Sequence, residues 1–257
     1  MKNSNLRSVI LKIPFSVPIY MLMRKIVAYP GYIGDYFNFI SKTKNNKRFT
    51  VSLKDLHPCL IDKTATTHFE PHYIYHPAWA ARIVAKNNPD LHVDIASTIT
   101  FSSIISAFVP VDFYDYRPAE LKLTGLQSKH GDLTKLNFES NSVKSLSCMH
   151  TIEHVGLGRY GDPIDPDGDK KAAIELARVL AVGGTFIFVT PIGKPKVAFN
   201  AHRIYSYQQV LELFPNLKLV EFSMVPDDYK KHGLITNADP EDVAKQEWAC
   251  GCFVFTK

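Results

Sequence analysis

Cysteines, long apolar runs and flexible residues are all scarce in this chain of 257 residues. The four cysteines, Cys59, Cys148, Cys250 and Cys252, have no spacing typical of a disulfide framework or of two zinc-ligand pairs. The 13 glycines and 16 prolines are too few for a fibrous or low-complexity protein. Apolar residues make up 46%, which is enough for a full core. We therefore expect a globular protein in a reducing compartment, the cytoplasm.

Positive charge is concentrated at the N-terminus. Residues 1–50 contain nine Lys or Arg and a single acid, Asp35, so their net charge is +8, whereas that of the whole chain is +5. The remaining 207 residues therefore sum to −3. This imbalance predicts a basic N-terminal arm over residues 1–67 and a mildly acidic domain over residues 68–257.

Two interpretations of the arm remain open. Its apolar stretch, residues 13–23, is shorter than the roughly 20 residues that span a bilayer, and no cleavage site typical of a signal peptide follows it. The arm could pack as a helix on the core. Alternatively, residues 1–50 could lie at the inner face of the membrane, with Lys12, Arg24 and Lys25 against lipid phosphates.

Residues 42–48 are basic and polar, and we interpret them as a solvated loop between the arm and the domain. Nucleic-acid binding is not expected, because no aromatic-rich RNA-binding signature accompanies the charge.

Helical and strand patterns alternate from about residue 77 onward. Strands are predicted at 91–95, 109–114, 126–130, 143–149, 185–189, 217–225 and 249–256, and helices at 78–86, 101–108, 169–180 and 205–214. No good helix separates the last two strands. The pattern predicts an α/β fold with a doubly wound, mostly parallel sheet of about seven strands and an antiparallel C-terminal strand. In such sheets, ligands bind beyond the carboxyl ends of the strands.

Acidic residues stand at three successive predicted strand ends. Asp94, Asp115 and Asp132 are spaced 21 and 17 residues apart. A carboxylate after the second strand can accept hydrogen bonds from ribose hydroxyls, and one after the third can accept from an adenine amino group. An aspartate is also a common cap of turns and helices, so each residue alone indicates little.

The residues around these acids resemble the class I S-adenosylmethionine-dependent methyltransferases. The resemblance spans about residues 68–257 and is carried by these segments: GDLTKL at 131–136, NSVKSL at 141–146, HTIEHV at 150–155, and RVL at 178–180 with GGT at 183–185. It implies S-adenosylmethionine as cofactor. The implied cofactor-binding residues are Asp94, Ala96, Ser97, Asp115, Asp132, Leu133 and Met149.

Two further segments resemble a narrower branch of that superfamily. They are GLGRYGDPIDPDGD at 156–169 and FNAHR at 199–203. The branch is a domain of unknown function that is often met in surface-polysaccharide gene clusters. The resemblance implies O-methylation of a sugar or another small hydroxyl acceptor, in polysaccharide biosynthesis.

The first loop departs from the superfamily pattern, which has three glycines after the acid. Here residues 94–100 read DIASTIT, with Ala96 at the position of the first glycine. A Cβ atom adds bulk where bare backbone usually lets the cofactor approach. The rival hypothesis is therefore a catalytically degenerate methyltransferase fold that serves as a binding module.

The segment 156–161 spells the dinucleotide-binding pattern G-x-G-x-x-G. That pattern needs a helix to begin at once, so that a diphosphate meets its N-terminus. Pro163 and Pro166 follow instead, among aspartates that would repel a diphosphate. We do not expect a nucleotide diphosphate here.

His150, Glu153 and His154 spell the inverted zinc-protease pattern H-x-x-E-H. The glycines at 156 and 158 leave room for about one helical turn, too little for a two-histidine zinc platform, so a metal-dependent hydrolase is an outlying alternative. The three side chains could simply organise a loop. As catalytic residues, His150 or His154 would accept a proton from the hydroxyl acceptor, and Glu153 would orient it.

The acidic loop 162–169 has three open interpretations. Asp167 or Asp169 could cap the following helix, Asp162 and Asp169 could contact the substrate, or the loop could bind a hard cation. We predict no metal ligand.

His202 and Arg203 are candidates for binding an anionic acceptor or the cofactor carboxylate. The histidines and aromatics of 68–76 form either a lid or a packed segment.

Overall fold

A computed structural model describes residues 16–43 and 48–257. The chain divides into two compact units, Met1–His68 and Phe69–Lys257. The first unit contains helix α1 (Ser16–Thr43) and a 3₁₀ turn at Leu53–Asp55. Over the described ranges, no helix combines the length and the apolarity needed to cross a membrane. Most of the loop predicted at 42–48 lies outside the described residues.

The second unit is built around a seven-stranded sheet. Its strands are β1 (His92–Ile95), β2 (Val111–Asp115), β3 (Leu126–His130), β4 (Val143–Met149), β5 (Leu180–Ile192), β8 (Lys218–Val225) and β9 (Ala249–Thr256). They lie in the order β3-β2-β1-β4-β5-β9-β8. The first five pair in parallel, whereas β9 pairs antiparallel with both β5 and β8. This arrangement confirms the predicted fold class.

Helices cover both faces of the sheet. They are α2 (His72–Asn87), α3 (Ile99–Ile105), α4 (Gly168–Val179), α5 (Tyr207–Leu213) and α6 (Tyr229–His232). Because side chains alternate along a strand, β5 sends Phe186 and Phe188 into the core with α4 and α5. Ile187 and Val189 point to the opposite face of the sheet, where they pack in a second core with α2 and α3. Two cores on opposite faces fix the register of the central strands.

One predicted helix start and one predicted strand start are wrong. Helix α2 begins at His72 rather than near residue 78, and it contains Pro77 at the loss of one backbone hydrogen bond. Helix α4 ends at Val179, within one residue of its predicted end, but β5 begins at Leu180 rather than at residue 185. The backbone is already extended at Leu180. Gly183 and its neighbour therefore belong to the long strand β5.

A short two-stranded ribbon follows β5 in the chain. Strands β6 (Lys196–Ala198) and β7 (His202–Ile204) pair antiparallel, and Tyr205 forms a bridge to Ile192 at the end of β5. The ribbon thereby brings Arg203 to the side of the sheet where the parallel strands end.

Candidate functional site

A cavity of about 450 Å³ lies at the carboxyl ends of the parallel strands. Its volume is in the range of small-molecule and cofactor sites. Residues that follow β1, β2, β3 and β4 line it, together with the loop that leads into α4. The lining residues are Tyr73, Ile95, Ala96, Ser97, Thr98, Asp115, Tyr116, Arg117, Gly131, Asp132, Leu133, Thr134, Met149, His150, Thr151, His154, Val155, Gly156, Tyr160, Asp162, Pro163, Asp165 and Gly168.

The glycine-free first loop does not fill this cavity. Ala96 has a φ of 53°, the left-handed conformation that a glycine would adopt without strain. The carbonyl of Ala96 accepts a hydrogen bond from the Thr151 hydroxyl at 2.7 Å. The Ser97 hydroxyl accepts from the Met149 amide at 3.0 Å. These two bonds hold the loop against β4, and the loop lines an open cavity rather than plugging it.

Backbone strain marks the same place. Among the described residues, six that are not glycine have a positive φ, and four of these are asparagines, which tolerate that region. The other two are Ala96 and His150, with φ of 53° and 54°. Both face the cavity, one after β1 and one after β4. Strain of this kind persists where the surroundings enforce it, and it is typical of ligand-binding sites.

Asp115 and Asp132 line the cavity, and each carboxylate makes hydrogen bonds through one oxygen only among the described residues. Oδ1 of Asp115 accepts from the Arg117 amide at 2.7 Å. Oδ1 of Asp132 accepts from the Thr134 amide and hydroxyl at 2.8 and 2.7 Å. Within the described part of the chain, neither Oδ2 has a hydrogen-bond partner. Each carboxylate is thus oriented by one oxygen and can bind a ligand with the other.

Asp94 lies elsewhere. Its carboxylate is fully buried and accepts hydrogen bonds from the hydroxyls of Ser102 and Ser147, so it does not line the cavity. Burial raises its pKa to about 6, although these hydroxyls oppose the shift. Ser147 also bonds His92, whose pKa burial lowers to about 3. Of the three predicted acids, Asp115 and Asp132 therefore line the cavity together, whereas Asp94 is buried next to the loop after β1.

The loop after β4 is organised by Asp162. Its Oδ2 accepts from the amides of Gly156 and Gly158 at 2.7 and 3.3 Å, and its Oδ1 accepts from the Tyr160 amide. Burial opposes ionisation of this carboxyl, but the backbone donors prevail and hold its pKa below the usual value. Asp162 lines the cavity with its oxygens already engaged.

Asp169 and Arg203 connect this loop to helix α4 instead of lining the cavity. The buried Arg203 guanidinium donates to the carbonyl of Val155 at 2.7 Å, and its Nε lies 3.6 Å from Oδ2 of Asp169. The Tyr205 hydroxyl donates to the same oxygen at 2.9 Å. Asp169 therefore does not cap α4, and Asp167, which stands at the cap position, makes no side-chain capping bond there.

His150 and His154 are held by different partners. Nδ1 of His150 lies 2.9 Å from Oε1 of the buried Glu153. Nδ1 of His154 lies 2.5 Å from the carbonyl of Ala201. Only a 3₁₀ turn, Ile152–His154, connects them. Both histidines line the cavity, whereas Glu153 lies behind them.

A cluster of buried rings lies beside His150. His72 stacks on His150 with ring centres 5.5 Å apart, and the ring centre of His76 is 5.0 Å away from that of His150. Burial lowers the pKa of His72 to about 4 and that of His76 well below its usual value. Within the 68–76 segment, His72 and His76 are buried, whereas Tyr73 is exposed and lines the cavity. His202 stacks on Trp248 outside the lining.

One lining residue, Tyr160, could not be expected from the sequence. Tyr160 lies under the guanidinium of Arg117, at 4.6 Å from its ring centre. Tyr116 and Thr151 follow strand ends directly, so their positions next to Asp115 and His150 were the available signal. Tyr160 gave no such signal, because the irregular loop alone brings it to the cavity.

The strand order and the cavity at the carboxyl ends define the fold of class I S-adenosylmethionine-dependent methyltransferases. Residues 126–231 match the family described as Caenorhabditis protein of unknown function, DUF268. That match fits the expected branch of unknown function. No curated protein sequence matches the chain.

Several solved structures align with this chain at low sequence identity. The MccD protein aligns with a TM-score of 0.51 at 13% identity, over 74% of this chain and 100% of its own. The N-methyltransferase NodS from Bradyrhizobium japonicum, in complex with S-adenosylhomocysteine, aligns at 0.49 and 10% identity, over 72% and 87%. The 1,6-didemethyltoxoflavin-N1-methyltransferase of Burkholderia thailandensis aligns at 0.48 and 12%, over 76% and 94%.

Proposed function

We propose that this protein is an S-adenosylmethionine-dependent methyltransferase that acts on a hydroxyl group. The observation that carries the proposal is the open cavity at the carboxyl ends of β1, β2, β3 and β4. Two carboxylates line it, and each uses only one of its oxygens in hydrogen bonds within the described residues. A cavity of about 450 Å³ can enclose an adenosyl group and part of an acceptor.

The residues present fit the cofactor. The free oxygen of Asp115, after the second strand, would accept from the ribose hydroxyls, and that of Asp132 would accept from the adenine amino group. Ala96 keeps the left-handed backbone of a glycine, and its small side chain leaves the cavity open. Leu133 and Met149 supply apolar surface. When bound, the cofactor supplies an electrophilic methyl group on a positively charged sulfur.

His154 is the better placed of the two proton acceptors. A proton on Nδ1 would be donated to the carbonyl of Ala201, with the Arg159 guanidinium 3.3 Å from the same nitrogen. The lone pair is then on Nε2, which makes no hydrogen bond within the described residues and lies 3.9 Å from Oε1 of Glu153. In His150 the corresponding Nε2 lies 3.5 Å from the Cys250 thiol and is already engaged. We therefore assign proton removal to His154. Glu153 orients His150, and the chain's other contribution is alignment and exclusion of water.

A sugar is the proposed acceptor, in the assembly of a surface polysaccharide. Three tyrosines, Tyr73, Tyr116 and Tyr160, line the cavity and supply aromatic surface and hydroxyl groups for a sugar. The polysaccharide context rests on the resemblance to the narrower branch.

We further propose a cytoplasmic protein whose N-terminal arm touches the inner membrane face. Helix α1 exposes large apolar side chains, among them Ile26 and Val27, next to Arg24 and Lys25. Apolar side chains beside basic ones favour binding to an anionic lipid surface. Flotation with anionic and with neutral vesicles tests this proposal. Equal recovery with both vesicle types, or with neither, would contradict it.

A methyl-transfer assay with labelled cofactor and a panel of nucleotide sugars and oligosaccharides tests the activity. We expect label in a hydroxyl acceptor, and a loss of about 100- to 10,000-fold in kcat for His154→Ala with unchanged cofactor affinity. His232→Ala, at an exposed histidine outside the cavity, is the matched control. Cofactor binding without transfer to any acceptor would instead support a binding module.

A further inference from the structure

A set of metal-binding side chains comes together next to the cavity. His72 on α2, His150 after β4 and Cys250 on β9 each offer one ligand atom, and these atoms all lie within 4.8 Å of one another. We call these three residues the His–Cys cluster. It differs from the H-x-x-E-H pattern of the sequence, because His154 is not part of it. Imidazole nitrogen with thiolate sulfur is a donor set that favours zinc.

The spacing of the Cys250 and His150 ligand atoms suits one ion, and His72 lies close enough to reach it after a small movement. Sγ of Cys250 lies 3.5 Å from Nε2 of His150. In a tetrahedral zinc site, bonds of about 2.3 Å to sulfur and about 2.05 Å to nitrogen place those two atoms about 3.6 Å apart. The pair therefore needs almost no movement to share a zinc ion.

Glu153 prepares His150 for this role. Its Oε1 lies 2.9 Å from Nδ1 of His150, and its Oε2 accepts a hydrogen bond from the Thr190 hydroxyl. A proton on Nδ1 would be donated to this carboxylate, which leaves the lone pair of Nε2 directed towards Cys250. Carboxylates behind metal-bound histidines commonly fix the ring in this way.

His76 supplies an independent sign that a ligand is missing. It is completely buried, and among the residues that the structure describes neither of its ring nitrogens has a hydrogen-bond partner of acceptable geometry. Such a combination is costly in a folded protein. It stands one helical turn after His72, so both side chains share a face of α2. Its ring centre is 5.0 Å from that of His150.

We propose that His72, His150 and Cys250 bind a zinc ion, with His76 turning to supply the fourth ligand. Two ligands from one helical turn, one after β4 and one from β9 would tie helix α2 to the sheet beside the cavity. The thiol of Cys250 loses its proton to solvent on binding, so the ion replaces that proton. Zinc binding at this site requires neither cofactor binding nor methyl transfer, although His150 also lines the cavity.

Metal analysis of the full chain, purified without chelators, tests the proposal. We expect one zinc per chain, and titration of stripped protein against a chromogenic chelator should show that His72→Ala and Cys250→Ala each weaken zinc binding by more than about 100-fold. Glu153→Gln should weaken it by about 10- to 100-fold. Cys59→Ser and His232→Ala, both exposed and outside the cluster, should bind like the wild type.

Cobalt substitution tests the ligands themselves, even if a zinc-free variant is unstable. Stripped wild-type protein loaded with Co²⁺ should show a thiolate-to-metal charge-transfer band and the visible absorption of tetrahedral cobalt. Cys250→Ser should abolish the charge-transfer band, and His76→Ala should change the visible absorption. Wild-type protein that binds neither ion, or a charge-transfer band that survives Cys250→Ser, would overturn the proposal. An unchanged spectrum of His76→Ala would overturn the role of His76.

Discussion

Two loops border the cavity, and they reach their conformations in opposite ways. The loop after β1 has no glycine, yet Ala96 adopts the left-handed conformation that glycine favours. The loop after β4 has three glycines at 156, 158 and 161, all left-handed, held by the Asp162 carboxylate and by Arg203. The glycine-rich pattern therefore lies in the loop after β4, whereas the proposed cofactor loop is the one after β1. What identifies a cofactor loop is its position after the first strand and its backbone conformation.

The largest effect should come from releasing the loop after β4. Arg203→Leu removes a buried guanidinium that binds backbone carbonyls and leaves the buried carboxylate of Asp169 without its cation. We expect a loss of about 3–5 kcal/mol in the free energy of unfolding, measured with denaturant. Arg159→Leu, an exposed arginine of the same loop, should cost less than about 0.5 kcal/mol. Equal effects of the two variants would disprove the role of Arg203 as a clamp.

The glycines of that loop should differ among themselves. A Cβ at Gly156 would lie 2.0 Å from the carbonyl oxygen of Asp165, whereas one at Gly161 would meet nothing within 4 Å. Gly156→Ala combines this clash with left-handed strain, so we expect a loss of about 3–4 kcal/mol. Gly161→Ala should cost only the strain, about 1 kcal/mol. Thermal and denaturant unfolding of the pair would measure the difference, and similar losses would contradict the packing described here.

Beneath the first loop, Asp94 makes stability depend on pH. Its pKa in the folded protein is about 6, above its usual value of 3.8, so the folded state holds this proton more tightly than the unfolded state does. The contribution of Asp94 to the free energy of unfolding should therefore rise by about 2–3 kcal/mol as the pH falls from about 6 to about 4. Other carboxyl groups change stability over the same range, so the quantity to measure is the difference between wild type and Asp94→Asn.

That difference should vary with pH only in this window. A difference that stays constant from pH 4 to pH 7 would show that Asp94 does not titrate as its burial indicates.

The smallest expected effect is that of Ala96→Gly, which tests directly whether the loop after β1 is strained. Ala96→Gly relieves the left-handed strain of the first loop, while the added freedom of the unfolded chain offsets part of the gain. We expect the free energy of unfolding to rise by about 0.5–1 kcal/mol. Asn141→Gly, where the original residue tolerates a positive φ, should give no gain. A loss of stability in Ala96→Gly would show that the Cβ of Ala96 makes a contact worth more than the strain.

The fold was predictable from the sequence because its signals are local. The alternation of apolar strands and helices predicted the parallel sheet, and the missing helix before β9 predicted the antiparallel end. Asp115 and Asp132 were predictable for the same reason, since they stand at strand ends. The starts of α2 and β5 were not, because Pro77 and Gly183 are strong local signals that the tertiary structure overrides.

The rest of the site depends on distant parts of the chain. Cys250 lies 100 residues after His150, and no spacing rule connects them. Asp94 was expected in the cavity, but three nearby hydroxyls, those of Ser97, Ser102 and Ser147, share its buried environment. Likewise Arg203 was a candidate for an anionic ligand, but the backbone carbonyls of the loop after β4 engage its guanidinium. Such assignments require the three-dimensional contacts.

Calorimetric titration of S-adenosylmethionine into the wild-type protein and Asp115→Asn tests the central claim most directly. We predict one site of micromolar affinity in the wild type, weakened by about 10- to 100-fold in Asp115→Asn, because a charged acceptor of the ribose hydroxyls is lost. Asp112→Asn alters the same strand at a residue paired with Lys129 outside the cavity, and it should bind like the wild type. No binding at millimolar cofactor, or equal affinity of wild type and Asp115→Asn, would contradict the account.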